Sequence, residues 1–140
     1  MFLLDTNVVS ELRRARRTDP NVAAWAESVL QEDMFLSSVT ILELEMGALR
    51  HARRDGDRGR AIQRWIQNRV LPAFADRILA VDTNVALRCA QLHVPNPRPY
   101  RDSLIAATAL VHGLIVATRN RVDFETMAVP LLNPWEGPQS

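Results

Sequence analysis

Five short apolar runs, each followed or preceded by a segment of helical periodicity, constrain this chain more than any other feature. Residues 2–4, 34–37, 78–81, 114–117 and 129–132 read as short buried strands. Thr6 or Asn7 can cap a helix over about residues 8–17, and Asp19 with Pro20 supplies an N-cap and a first-turn proline for a second helix. That helix places Val22, Trp25, Ala26, Val29 and Leu30 at helical spacing, and a third starts at Ser38 or its neighbour, with Ile41, Leu44, Ala48 and Leu49 on its apolar side. Two glycines among the charges of residues 55–59 predict a loop, followed by a helix on Ile62, Trp65, Ile66 and Val70 that ends before Pro72. This helical pair is expected at the periphery. Asp82 can cap a helix over residues 85–92, three prolines make residues 93–99 a loop, and the helix beginning at Tyr100 or Arg101 closes on a left-handed Gly113. Strands alternating with helices predict an α/β fold, a central, mainly parallel five-stranded sheet flanked by helices.

At 140 residues and 47% hydrophobic content, residues 1–140 suit one domain. No apolar run approaches the roughly 20 residues a bilayer demands. The N-terminus carries neither a basic leader nor a small-residue cleavage site, so a cytoplasmic location is expected. Cys89 is the only cysteine, which excludes an internal disulfide and assigns it to the core. The net charge of +1 argues neither for nor against a nucleic-acid partner. All 17 basic residues are arginine, concentrated within residues 13–17, 50–54 and 58–64. Their guanidinium forks match phosphate, although a solvated helix surface explains them equally well.

Ligand sites in open parallel sheets form at the carboxyl ends of the strands. Asp5 follows the first strand, Thr118, Arg119 and Asn120 follow the fourth, and Glu43 and Asp102 lie in the opening turns of helices that can face the same rim. Each of the three acids interrupts an apolar neighbourhood, where a lone charge is costly without a partner. Clustered carboxylates repel one another unless a cation sits between them, and all-oxygen ligands favour Mg²⁺ or Mn²⁺. A hard metal so held suits hydrolysis of phosphodiesters. Each acid also has a plain explanation: Asp5 as a helix cap, Asp102 beside a positive helix end, Glu43 as a solvent-facing helical residue.

The motifs around these acids resemble those of the PIN-domain nucleases, specifically the VapC-type or FitB-like toxins of bacterial toxin–antitoxin pairs. The resemblance opens with Leu3-Leu4-Asp5-Thr6-Asn7-Val8 and Ser10-Glu11-Leu12, and continues with Ser37, Thr40, Glu43-Leu44 and Gly47. It is most specific at Arg101-Asp102-Ser103-Leu104-Ile105-Ala106-Ala107-Thr108-Ala109, and extends through Val116-Ala117-Thr118-Arg119-Asn120, Asp123-Phe124 and Asn133-Pro134-Trp135. It implies a PIN-domain fold and a metal-dependent endoribonuclease that hydrolyses RNA by metal-activated water, leaving 5′-phosphate and 3′-hydroxyl ends. Asp5, Glu43, Asp102 and Asp123 are its implied catalytic and metal-binding acids, with Mg²⁺ (or Mn²⁺) as cofactor. Glu43 rather than Glu45 matches the motif, and two residues turn a helix by about 200°, so the two cannot share one role. Thr6, Asn7, Thr118 and Asn120 are expected as polar support, and Arg101 and Arg119 as contacts to RNA phosphate. The fourth acidic place is open between Asp123 and the neutral Asn120. A small antitoxin protein and a homodimer are the implied partners, with the apolar faces of residues 22–30 and 43–49 as the expected antitoxin platform.

Asp82-Thr83-Asn84-Val85 repeats Asp5-Thr6-Asn7-Val8 after an apolar strand, and is read as a structural cap. Two other functions fit parts of the pattern. An aspartyl-nucleophile phosphatase would want a second aspartate where Asn7 stands. A catalytically inert RNA- or protein-binding module would keep the fold, and the asparagine at position 120 favours it.

Overall fold

The computed structural model describes residues 1–137; the last three residues of the expected 1–140 domain lie outside them. Its strands β1 (Phe2–Leu4), β2 (Met34–Ser37), β3 (Ile78–Leu79), β4 (Ile115–Ala117) and β5 (Leu131–Leu132) form one sheet in the order β3-β2-β1-β4-β5. Every pair is parallel. The chain builds outward from β1 to β3, then crosses back to β4 and β5, so the order reverses between β1 and β4. The helices are α1 (Thr6–Leu12), α2 (Pro20–Ser28), α3 (Ser38–Arg54), α4 (Gly56–Trp65), α5 (Leu71–Ala73), α6 (Thr83–Leu92) and α7 (Tyr100–His112). Among the described residues no helix is long and apolar enough to cross a membrane.

Alternate strand residues point to opposite sheet faces, and the core divides accordingly. Leu4, Leu36 and Ala117 join Val8, Leu44, Ala48, Ile62, Ile66 and Val70 in one buried cluster. Leu3 and Val116 join Ile105, Ala106, Ala109, Phe124 and Met127 in another. The small residues of α7 bring that helix close to the sheet, and Gly113 ends it at φ 67°. Cys89 is buried with Val85 and Ala107, as its composition implies.

Four expectations are corrected. First, α1 starts at Thr6 and stops at Leu12, not near residue 17. Its apolar face ends there, and the four arginines beyond crowd like charge within about one turn, where the chain passes through a left-handed Ala15. Second, residues 55–59 are not a loop, because the Asp55 carboxylate accepts the Arg58 N–H and starts α4 at once. Gly59 serves close packing instead: a Cβ there would lie 2.5 Å from the Ala52 backbone on α3. Third, the α3–α4 pair is not peripheral, since Ile62 and Ile66 complete one core face. Finally, the helical path continues through Pro72. A wide π-turn over Ile66–Val70 puts the proline at the first turn of α5, where its missing N–H is tolerated.

Candidate active site

The reversal between β1 and β4 places Asp5 and Thr118 side by side at the carboxyl edge of the sheet. The Asp5 N–H donates to the Ala117 carbonyl at 2.9 Å, locking the end of β1 to β4. Ser37 caps α3 by accepting the Val39 N–H at 3.0 Å, which fixes the turn carrying Glu43. Asp102 arrives from the first turn of α7. These separate segments meet at one side chain, the guanidinium of Arg101.

Asp5 is wholly buried. Its Oδ1 accepts the Thr6 N–H at 2.8 Å and Arg101 Nη2 at 2.6 Å; its Oδ2 accepts the Thr118 hydroxyl at 2.8 Å and Asn7 Nδ2 at 3.3 Å. Glu43 Oε1 accepts the Thr6 hydroxyl at 2.6 Å, while Oε2 accepts Arg101 Nε. Asp102 Oδ1 accepts Arg101 Nη1. The two readings of Asp5 therefore coexist: it caps α1 through Thr6 and also faces the cluster. Glu45 points away from the cluster: it turns to α4 and accepts Gln63 Nε2 at 2.9 Å.

Burial pushes the Asp102 carboxyl up from its ordinary pKa; Arg101 opposes this, and the charges of Asp123 and Asp5 reinforce it. Burial alone would weaken the charge on Arg101, but the Asp5 carboxylate, then Glu43 and Asp102, outweigh it and raise its pKa above the usual arginine value. Three acids and one base thus leave local negative charge. The donor set is all oxygen and includes a fully buried carboxylate, which fits a hard divalent cation. Among the described residues no three His, Cys, Asp or Glu side chains stand close enough to ligate one ion as arranged, and the guanidinium spaces the three acids around itself.

Residues 2–130 match the family model of the PIN domain. This chain belongs to the PIN-domain family. It is 38% identical to the VapC ribonuclease Y4jK of Sinorhizobium fredii over 97% of this chain and 99% of that protein. The solved structure of FitAcB from Neisseria gonorrhoeae superposes with a TM-score of 0.87 at 37% identity, over 97% of this chain and 99% of that one. A toxin–antitoxin complex from Klebsiella pneumoniae matches at a TM-score of 0.68 and 26% identity, over 97% and 99% of the two chains. Within the family, the chain is of the VapC/FitB toxin type.

The PIN domain places its other expected residues at varying distances from the acids. Asp123 lies exposed on the 3₁₀ turn Arg121–Asp123 and reaches Asp102 through its charge rather than through a hydrogen bond. The Asn120 N–H donates to Thr118 Oγ1 at 3.0 Å, and Asn7 Oδ1 accepts the Arg119 N–H at 3.3 Å. The Arg119 guanidinium lies 5.2 Å from the Trp135 ring centroid. Asp82, the echo of Asp5, accepts the Val85 N–H at 3.0 Å as an exposed cap of α6. Thr40 was not among the expected supporting residues; its buried hydroxyl lies 3.3 Å from Thr6 Oγ1. Its position three residues before Glu43, on the same side of α3, is the signal that could have found it. Beside Asp123, Arg119, Asn120, Arg121 and Asn133 line an open groove of about 530 Å³. A cavity of about 560 Å³ at the β5 edge, lined by Trp25, Leu131 and Pro134, contains none of the cluster acids.

Proposed function

We propose that this chain is a metal-dependent endoribonuclease, the toxin of a toxin–antitoxin pair, and that Asp5, Glu43 and Asp102 hold its Mg²⁺, with Mn²⁺ as the alternative ion. The observation that carries this reading is the convergence of three carboxylates from three separate segments on a single cation, Arg101. The kinship with a VapC ribonuclease along nearly the whole chain supports the choice of RNA. A bound divalent ion supplies a water of lowered pKa and neutralises charge on the phosphate under attack.

The chain's own residues do the positioning. Thr6 and Thr118 fix the orientation of Asp5 by donating to its two oxygens. Thr6 also clamps Glu43, so one residue sets the spacing of two acids. Asp123 is the fourth acid of the site, placed where its charge adds to that at Asp102. Arg119 and Arg121 on the groove rim are positioned to meet the phosphates of an incoming strand.

The antitoxin partner belongs to the same reading, together with a second copy of the chain as the working homodimer. Leu42, Met46 and Leu49 are exposed at helical spacing on α3, and this stripe, which overlaps the 43–49 part of the platform expected from sequence and extends it back to Leu42, is the antitoxin seat we assign. Leu30 is also exposed, whereas Val22 is buried in the core.

End-group analysis tests the reaction. Cleaved RNA carries 5′-phosphates that accept direct ligation and 3′-hydroxyls that a polymerase extends. Cyclic 2′,3′-phosphate ends would assign the attack to the RNA's own hydroxyl and contradict activation of water.

A further inference from the structure

The head of Arg101 occupies the space between the carboxylates, and three of its nitrogens bond three different acids. Four of the six carboxylate oxygens already accept hydrogen bonds from this chain at both ends of Asp5 and Glu43. Asp102 Oδ1 is also taken, which leaves Asp102 Oδ2 as the one oxygen of the three acids without a donor among the described residues.

A divalent ion and this guanidinium therefore compete for the same atoms. Mg²⁺ draws its oxygens to about 2.0–2.1 Å, whereas the Asp5 contact to Arg101 is 2.6 Å and the planar head holds the carboxylates apart. The two cations also repel each other at such range. Among the described residues, nothing but these acids accepts hydrogen bonds from the Arg101 side chain. One third of that side chain is exposed, so Arg101 is not sealed inside the cluster.

We propose that Arg101 is a tethered counter-ion that holds Asp5, Glu43 and Asp102 in the metal-free protein and leaves them when divalent metal binds. This rests on the reading of those acids as the metal site. Metal loading and withdrawal of Arg101 are then one event, and the apparent affinity for metal is the intrinsic affinity reduced by the fraction of molecules in which the arginine has withdrawn. Arg101 also offsets the mutual repulsion of the acids in the apo protein, so its loss makes that form less stable while making the site easier to fill.

Calorimetric titration with Mn²⁺ of the parent, Arg101→Gln and Asp102→Asn proteins tests the competition. With the withdrawn form populated at about one molecule in ten or fewer, Arg101→Gln binds Mn²⁺ about tenfold or more tighter than the parent. Equal affinities in the parent and Arg101→Gln overturn the competition while leaving the metal reading intact. Binding by neither protein above the level of Asp102→Asn overturns both. A second measurement needs only the parent fold. The Arg101 Nε–H resonance, assigned by its absence in Arg101→Lys, exchanges slowly with water in apo protein and rapidly once Mg²⁺ is bound. A resonance that stays protected at saturating Mg²⁺ would mean that the arginine remains as a permanent brace.

Discussion

Asp102→Asn is expected to lower the rate of RNA cleavage by about a thousandfold or more while leaving the chain folded. The amide keeps the size of the carboxyl and removes only the charge that a divalent ion requires. Stability suffers little because burial already disfavours the ionised form of Asp102 in the apo protein, and the charges of Asp123 and Asp5 add to that. Asp82→Asn is the matched control. The same change at the echo of the Asp5 motif leaves a residue that caps α6 as well as aspartate does, so both folding and cleavage persist. Cleavage rates on a defined RNA, with thermal melts of each variant, decide the matter. Equal loss of cleavage in both folded variants would erase the distinction between the two Asp-Thr-Asn-Val segments.

Phe124→Ala carries the largest expected cost to the fold, about 3–5 kcal/mol. The ring is fully buried in the cluster with Leu3, Ile105, Val116 and Met127, beneath the two strands whose ends present Asp5 and Thr118. It also anchors the chain immediately after Asp123. Urea unfolding should show the midpoint falling with little change in slope, and Phe124→Leu, which keeps most of the volume, losing no more than about 1.5 kcal/mol. An alanine variant as stable as the parent would mean that the segment after β4 is not part of the core.

What could be read from sequence divides by range. Strand and helix identities follow from local periodicity, and so does the N-capping by Asp19 and Asp82, since a cap is a contact within three residues. The placement of Asp5 and Asp102 at one rim follows from a single topological rule about parallel sheets. Gly59 misled because a glycine among charges is also what two closely crossing helices require, and only the facing Ala52 distinguishes the two. Pro72 misled for a related reason: a wide turn upstream shifts the register in which a missing N–H is tolerated. Arg101 was the least legible. Its neighbour Asp102 and its charge suggest a surface contact to phosphate, yet its three acidic partners include residues 96 and 58 positions away. No local pattern encodes that convergence.

Dependence of cleavage on divalent metal is the most direct test of the acidic cluster as a metal site. Protein stripped by chelator and freed of it should leave a defined RNA intact, and added Mg²⁺ should restore cleavage in the parent. RNA cut by the purified protein at the same rate with chelator present as with Mg²⁺ would contradict the assignment of Asp5, Glu43 and Asp102 as a metal site.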